Sequence, residues 1–269
     1  MNNTVKSIAI GSFDGLHIAH KALIDQVEAL VIIERNVGYL TPGYKRSLYT
    51  SKECYFYHFD KIKSLSSDEF IDKLKIDFPK LEKIVVGYDF KFGKEKMGNA
   101  NSLKDFFSGS VVIVDEVRKD NVSVHSKTIT QFLKESNIKM GNDLLGRKYC
   151  IDGSPVKGQG LGKEKFVPTI NINVSQYLLP KDGVYATRTK IEDIWYESVT
   201  FLGHRETTDG SFAVETHLLY EDLDEVQSDN IWIEFECFLR DNSKFSSFEE
   251  LKKQIDIDIL NAKKILPIS

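Results

Sequence analysis

The sequence predicts two folds in tandem: a parallel α/β sheet, then a small all-β unit closed by a helix. Three observations predict it. In the first half, short apolar runs alternate with helical patterns, the order that parallel sheets covered by helices require. In the second half, strands with period-two patterning dominate, separated by Gly, Asp and Pro. The last stretch returns to helical spacing.

The elements follow in order. "SIAI" is a short buried strand. It leads into "HKALIDQVEALVI", where Leu23, Val27, Leu30 and Val31 share one helical face, which predicts a helix from about His20. "KIVVGYDF" follows the helical "SSDEFIDKLKIDF", "SVVIVDEV" follows "NSLKDFF", and "SKTITQFLKES" is another short helix. These strands are apolar without alternation, as strands buried on both faces are. The pattern changes near residue 140, so the expected domains are 1–140 and 141–269. In "IWIEFECFL", Ile231, Ile233, Phe235, Cys237 and Leu239 alternate with Trp232, Glu234, Glu236 and Phe238. "GVYATRTKI", "IWYESVTFL" and "SFAVETHLL" read similarly, which suits a barrel or a sandwich. Leu251, Ile255, Ile259, Ala262 and Leu266 then mark the terminal helix.

The 269 residues carry 36 Lys and Arg against 40 Asp and Glu, a formal net charge of −4, with a pI near 5.9. Such a balance offers no global attraction to nucleic acid or to an anionic membrane. Phosphate chemistry must therefore be local, and the expected partners are small molecules. No run approaches the ~18 apolar residues of a membrane span, and "MNNTVKSIAI" lacks the apolar core of a secretory signal. Cys54, Cys150 and Cys237 have no metal-like spacing and read as free thiols of a reducing cytoplasm.

Two stretches point to chemistry. In "IAIGSFDGLHIAH", Gly11, Ser12 and Gly15 let the backbone turn sharply after the strand and come close to a ligand. The following helix start would hold a phosphate. His17 and His20 could donate to oxygens that gain charge as phosphorus is attacked, or they are two solvated polar residues. A zinc site lacks a third ligand, and a P-loop lacks its Gly-Lys-Ser/Thr ending. In "VKGQGLGKEKFVPTINI", Gly158, Gly160 and Gly162 with Lys157, Lys163 and Lys165 could wrap phosphates. Thr169 and Asn171, two apart on an extended segment, offer oxygen ligands suited to Mg²⁺ carrying ATP. Glu215, in "FAVETHLLY", is a general base or an outward-facing charge.

"GSFDGLHIAH" resembles the G-x-F-D-G-x-H-x-G-H stretch of the nucleotidyltransferase superfamily, closest to the bacterial bifunctional riboflavin kinase/FAD synthetases. "VVGYDFKFGKEKMG" resembles the second N-terminal motif of that family. "PTIN", "VETHLL" and "LRDNSKFSSFEELKKQIDID" resemble its kinase motifs, so the likeness covers almost the whole chain. It implies a Rossmann-like N-terminal FMN adenylyltransferase domain and a C-terminal riboflavin kinase β-barrel. The substrates would be ATP, riboflavin and FMN, with Mg²⁺ as cofactor. Gly11, Phe13, Asp14, Gly15, His17, His20, Ser126 and Lys127 would attend ATP, and Asp89, Phe90 and Phe92 the flavin. In the kinase half, Gly158, Gly162, Lys163, Thr169 and Asn171 would bind nucleotide, with Thr169 and Asn171 on the metal. Arg205, Thr207 and Arg240 would bind flavin, and Glu215 would be the base.

The departures are Ala19 between the histidines, Thr130 where the family has arginine, a shortened "IERNVGYLTPGYKRSLY", Phe166 for glycine, and Phe201 in "FLGHRET". Lys127 could supply the missing charge. Two rival readings remain: a riboflavin kinase whose N-terminal half has lost adenylyl transfer, and a non-enzymatic flavin- or nucleotide-binding regulator. A nucleic-acid-binding barrel is disfavoured by the charge.

Overall fold

A computed structural model describes residues 4–35, 39–157, 167–205, 207, 210–221 and 228–266. The chain divides into two compact units, Met1–Thr128 and Ile129–Ser269.

The first unit is built on β1 (Ser7–Gly11), β2 (Ala29–Glu34), β3 (Glu53–His58), β4 (Lys83–Gly87) and β7 (Ser110–Val114). They form one parallel sheet in the order β3-β2-β1-β4-β7. Helices α1 (Ile18–Ile24), α2 (Phe59–Ile62), α3 (Ser67–Asp77) and α4 (Leu103–Phe106) connect the strands. Two small hairpins, β5 (Lys91–Phe92) with β6 (Gly98–Asn99) and β8 (Arg118–Lys119) with β9 (Val122–Ser123), complete the unit. The sheet is apolar on both faces. Ile8 and Ile10 face one core with Phe70, Leu74 and Val86. Ala9 faces the other with Phe13, Leu23 and Val85.

One expectation fails here. Leu30 and Val31 lie in β2, not on a helix from His20, and α1 starts at Ile18 and stops at Ile24. A short apolar run satisfies both periods. The β-branched Val31-Ile32-Ile33 run, paired along its length with β3 and at Val31 and Ile32 with β1 as well, decides for a strand.

In the second unit, α5 (Ser126–Lys134) leads in from the first, and α6 (Ile138–Leu145) precedes the strands. The two compact units divide at Thr128/Ile129, so most of α5 and all of α6 group with the barrel strands. Helix α6 is bound to the strands: the Asn142 amide donates to the Phe235 carbonyl at 2.9 Å and accepts from the Tyr149 N–H at 2.6 Å.

Six antiparallel strands then close a barrel: β10 (Tyr149–Val156), β11 (Ile170–Val174), β14 (Phe212–Leu218), β13 (Ile194–His204), β12 (Gly183–Ile191) and β15 (Ile231–Arg240), in that order around it. The sandwich alternative is thereby excluded. Bulges in the β12–β15 pairing break the alternation of β15. Ile231, Ile233 and Phe235 are fully buried. Beyond the bulge, Cys237 and Leu239 pack with Ala262 and Leu266, which belong to α7 (Phe248–Ile265) and the residue after it.

The barrel interior holds an unexpected polar layer. Thr187, Thr189, Ser198, Thr200 and Thr216 are all fully buried. Their hydroxyls form a closed cycle of five bonds, Thr187–Ser198–Thr189–Thr216–Thr200 and back, at 2.8–3.1 Å. Each hydroxyl has two ring bonds, one as donor and one as acceptor, so all five are satisfied without water. Thr189→Val keeps the shape but leaves two hydroxyls short of a partner. It should destabilise the protein by about 1–3 kcal/mol in urea unfolding, and an unchanged midpoint would contradict the ring.

Candidate active sites

The first site lies where strand order reverses. β1 and β4 are neighbours; β2 and β3 continue to one side and β7 to the other. Chains leaving the C-terminal ends of β1 and β4 diverge and open a crevice, the usual place for a ligand in such sheets. The segments that leave them are "GSFDGLH" and "GYDFKFG". A cavity of about 770 Å³, ample for a nucleotide-sized ligand, opens there. It is lined by Gly11, Ser12, His17 and His20 from the first and by Gly87 to Gly93 from the second.

The turn after β1 is held in unusual backbone conformations. Phe13, Gly15 and Leu16 have φ of 48°, 82° and 39°. Phe13 is buried, and its carbonyl accepts from the Leu16 N–H at 3.1 Å. The Asp14 carboxylate accepts from the Leu40 and Thr41 N–H groups at 3.2 and 3.0 Å, and the Asp14 carbonyl accepts from Ser126 Oγ at 2.8 Å. Burial pushes the Asp14 carboxyl up, against those N–H groups and the charge of Arg46. A Cβ on Gly11 would only touch the Phe13 ring at 3.5 Å. The protein itself has room there, so the glycine leaves bare backbone for a ligand to approach.

This turn delivers both histidines. His17 caps α1, its Nδ1 accepting from the His20 N–H at 3.4 Å. That bond puts the proton of a neutral ring on Nε2. The two rings stack at 3.6 Å, and the edge of Phe13 meets His20 at 5.1 Å. Burial, then the charges of His17, Arg46 and His125, hold His20 well below the usual imidazole range. Its Nδ1 is buried with no hydrogen-bond partner.

A further part of the lining comes from α5, whose first residues Ser126, Lys127 and Thr128 line the cavity. His125 precedes them, its Nε2 3.1 Å from the Tyr88 hydroxyl. Asp89, Phe90 and Phe92 are on the wall, and the Phe90 and Phe92 rings stack at 5.7 Å. The loop after them requires Gly93: at φ 73°, a Cβ would come within 2.6 Å of Ser67 Oγ.

The second site is set by strand pairing. Asn171 on β11 stands opposite Glu215 on β14, which puts both side chains on one face. Thr216, the next residue, points into the hydroxyl ring, so Glu215 faces out of the barrel. Pro168 and Thr169 approach just before β11, and the Pro168 carbonyl lies 2.8 Å from His217 Nδ1. Arg205 joins the pair. Its Nε donates to Glu215 Oε1 at 2.7 Å, and its Nη2 lies 2.5 Å from the same oxygen and donates to Asn171 Oδ1 at 2.6 Å.

Comparison with known proteins bears on both sites. A family model described as riboflavin kinase matches residues 145–266, and one described as FAD synthetase matches residues 48–128. Proteins called bifunctional riboflavin kinase/FMN adenylyltransferase match nearly end to end. The one from Buchnera aphidicola is 28% identical, covering 99% of this chain and 95% of that protein. The one from Mycoplasma pneumoniae is also 28% identical, covering 96% and 97%. The chain carries an FAD synthetase domain and a riboflavin kinase domain, and it is similar over nearly its whole length to proteins called bifunctional riboflavin kinase/FMN adenylyltransferase. These domains and names indicate a phosphorus-transferring enzyme of FMN and FAD synthesis. Listeria monocytogenes has a relative that is 27% identical, covering 94% of this chain and 90% of that protein. A crystal structure described as a macrolide-efflux protein from Streptococcus pneumoniae shares the fold, with a TM-score of 0.85, 23% identity and coverage of 98% and 97%.

Within this family frame, the residues expected at the sites separate into walls and supports. Gly11, His17, His20, Asp89, Phe90, Phe92, Ser126 and Lys127 line the cavity. Phe13, Asp14 and Gly15 are not on its wall; they shape and anchor the turn. Asn171, Glu215 and Arg205 come together, with Thr169 two residues before Asn171, and Arg205 grips both Asn171 and Glu215. Arg240 is tied to Asp258 of α7 by bonds of 2.8–3.0 Å. Thr207 Oγ1 accepts from the Phe245 N–H at 3.2 Å. Those two brace the chain between β15 and α7. Gly158, Gly162 and Lys163 lie outside the described residues, as does Phe166.

Sequence reasoning missed Arg46, Tyr88 and His125. Arg46 is fully buried, paired with Glu34, with its guanidinium 4.5 Å from the Tyr39 ring. Nothing in a lone arginine of a polar segment announces this.

His20 should therefore be neutral at pH 6.5. In an NMR titration its ring carbons should not respond until well below that value, and saturating ATP should move the response upward. In the window below pH 6.5 the unfolded chain binds the extra proton, so this group makes stability rise with pH. A His20 that titrates at 6.5 or above would refute the burial argument.

Proposed function

We propose that the two reactions joined in this family run in separate units of this chain: FMN adenylylation in the first, and riboflavin phosphorylation in the second, from about residue 141. The kinase reading is carried by the pairing of Asn171 with Glu215. The adenylylation reading is supported by His17 and His20 standing on the wall of a switch-point cavity.

In the kinase step, the 5′-hydroxyl oxygen of riboflavin attacks the γ-phosphorus of ATP. The bond from that phosphorus to ADP breaks, and the hydroxyl proton passes to Glu215. Positioning and charge neutralisation do most of the work in such transfers. Mg²⁺ is part of this proposal, and the donor set fits it: the Asn171 carbonyl and the Thr169 hydroxyl are hard oxygens. When bound with ATP it would neutralise phosphate charge. No cluster of three or more His, Cys, Asp or Glu side chains able to hold a metal occurs among the described residues, so these oxygens and the nucleotide would share the cation.

In the adenylyl step, a phosphate oxygen of FMN attacks the α-phosphorus of ATP and pyrophosphate leaves. No base is needed, because the attacking oxygen is already ionised. The Nε2–H of His17 and one N–H of His20 would donate to oxygens of the pentavalent phosphorus, and the arriving phosphates would favour a second proton on His20. The open start of α5, with Ser126 and Lys127, offers further donors. Lys127 takes the place of the charge lost at Thr130.

Among the described residues no helix is long and apolar enough to cross a membrane. The proposal puts the protein in the cytoplasm, and the free state of Cys54, Cys150 and Cys237 supports that.

Incubation with riboflavin, ATP and Mg²⁺, followed by chromatography, tests the whole reading. FMN followed by FAD is expected. FMN alone would favour a kinase with a silent first unit, the reading that Thr130 motivates, and neither product would favour a regulator. Glu215→Gln should slow FMN formation about 10²–10⁴-fold. His20→Ala should slow FAD formation about 10²–10³-fold while FMN formation persists. Near-normal rates in either variant would remove that residue from its role.

A further inference from the structure

Arg205 occupies the two acceptors that the kinase reading needs. It leaves the end of β13 on the loop to β14, with its N–H donating to the Ser211 carbonyl at 2.9 Å and its carbonyl accepting from the Gly210 N–H at 3.1 Å. Gly210 closes that loop at φ 72°, where other residues are strained. The backbone of Arg205 is thus tied to Ser211 and Gly210. The guanidinium Nη1 donates to Ser211 Oγ at 2.6 Å, and its Nε and Nη2 reach Glu215 and Asn171 as described.

A cation held by Asn171 Oδ1 would sit about 2.1 Å from that oxygen. The guanidinium nitrogen already lies 2.6 Å from it. The two positive charges repel across that shared oxygen and so compete for it. Glu215 is different: its two oxygens can keep the guanidinium on one and meet a substrate hydroxyl with the other.

We infer that Arg205 is a positioning residue that latches Asn171 to Glu215 in the nucleotide-free enzyme, releases Asn171 to the Mg²⁺-nucleotide, and keeps its hold on Glu215. This inference rests on the kinase reading above.

The test combines side-chain NMR with kinetics on the full chain. Arg205 resonances, identified by their loss in Arg205→Lys, are followed as ADP is added with and without Mg²⁺. The Nη2 signal should move only when both are present, and the Nε signal should stay. In Arg205→Met, Asn171 no longer has to be released, so the KM for MgATP should fall about tenfold, the worth of one charge-assisted hydrogen bond. Its kcat should also fall, because Glu215 loses its guide. Arg205→Lys should recover part of kcat, since an ammonium can reach Glu215 but cannot span both acceptors. If MgADP leaves the Nη2 signal in place while Asn171→Ala raises the KM for MgATP, the latch is wrong and the kinase site stands. If Asn171→Ala leaves that KM unchanged, Asn171 holds no nucleotide, and the site reading falls with the latch.

Discussion

The seam between β11 and β14 is two residue pairs long, Ile170 with Thr216 and Asn171 with Glu215, whereas β12 and β13 pair over nine. A barrel has no free edge only if every seam holds. Period-two geometry makes this short seam serve both surfaces at once. Thr216 turns inward to complete the hydroxyl ring, and Glu215 turns outward to meet Asn171 and Arg205. A one-residue slip would put the carboxylate into the sealed interior and a hydroxyl at the site. The inner ring and the outer cluster therefore reinforce one register.

The first unit solves a related problem with charge rather than pairing. Its turn must hold Phe13 and Leu16 at positive φ, which costs energy unless the surroundings fix it. Asp14 supplies the fixation by gripping the 40–41 backbone with its carboxylate and α5 with its carbonyl. Burying that carboxylate is tolerable because Arg46 stands near it, itself balanced by Glu34. The same positive charge bears on His20. One buried arginine thus steadies the loop and disfavours a protonated imidazole before any phosphate arrives.

Much of this was legible in the residues. Unalternated strands announced a parallel sheet, alternation announced the all-β unit, and two histidines after a glycine turn announced the first cavity. The misreadings share a cause: local pattern carries no information about distant partners. "EALVII" fits a helix until β1 and β3 claim it from both sides. Arg205 and Arg240 look alike as exposed basic residues near a flavin. Only the fold shows that one meets Glu215 and the other Asp258. The threonines of the ring read as ordinary strand formers, because nothing in sequence reveals that their hydroxyls converge. The resemblance to a family located Glu215, Asn171 and Arg205, but not the bonds that join them.

The hydroxyl ring has one more property. Thr200 donates to Thr216, and since each hydroxyl has a single proton, that choice orients every other bond around the cycle. Reversing it requires all five protons to turn together, and bonds aligned head to tail polarise one another. In terms of descent, the five positions form a linked set. The first loss of a hydroxyl opens the cycle and leaves one donor and one acceptor unmet at the cut ends, while a second loss beside it leaves no more than that. Drift inside this barrel should therefore meet its highest cost at the first exchange and spread from there to neighbouring positions.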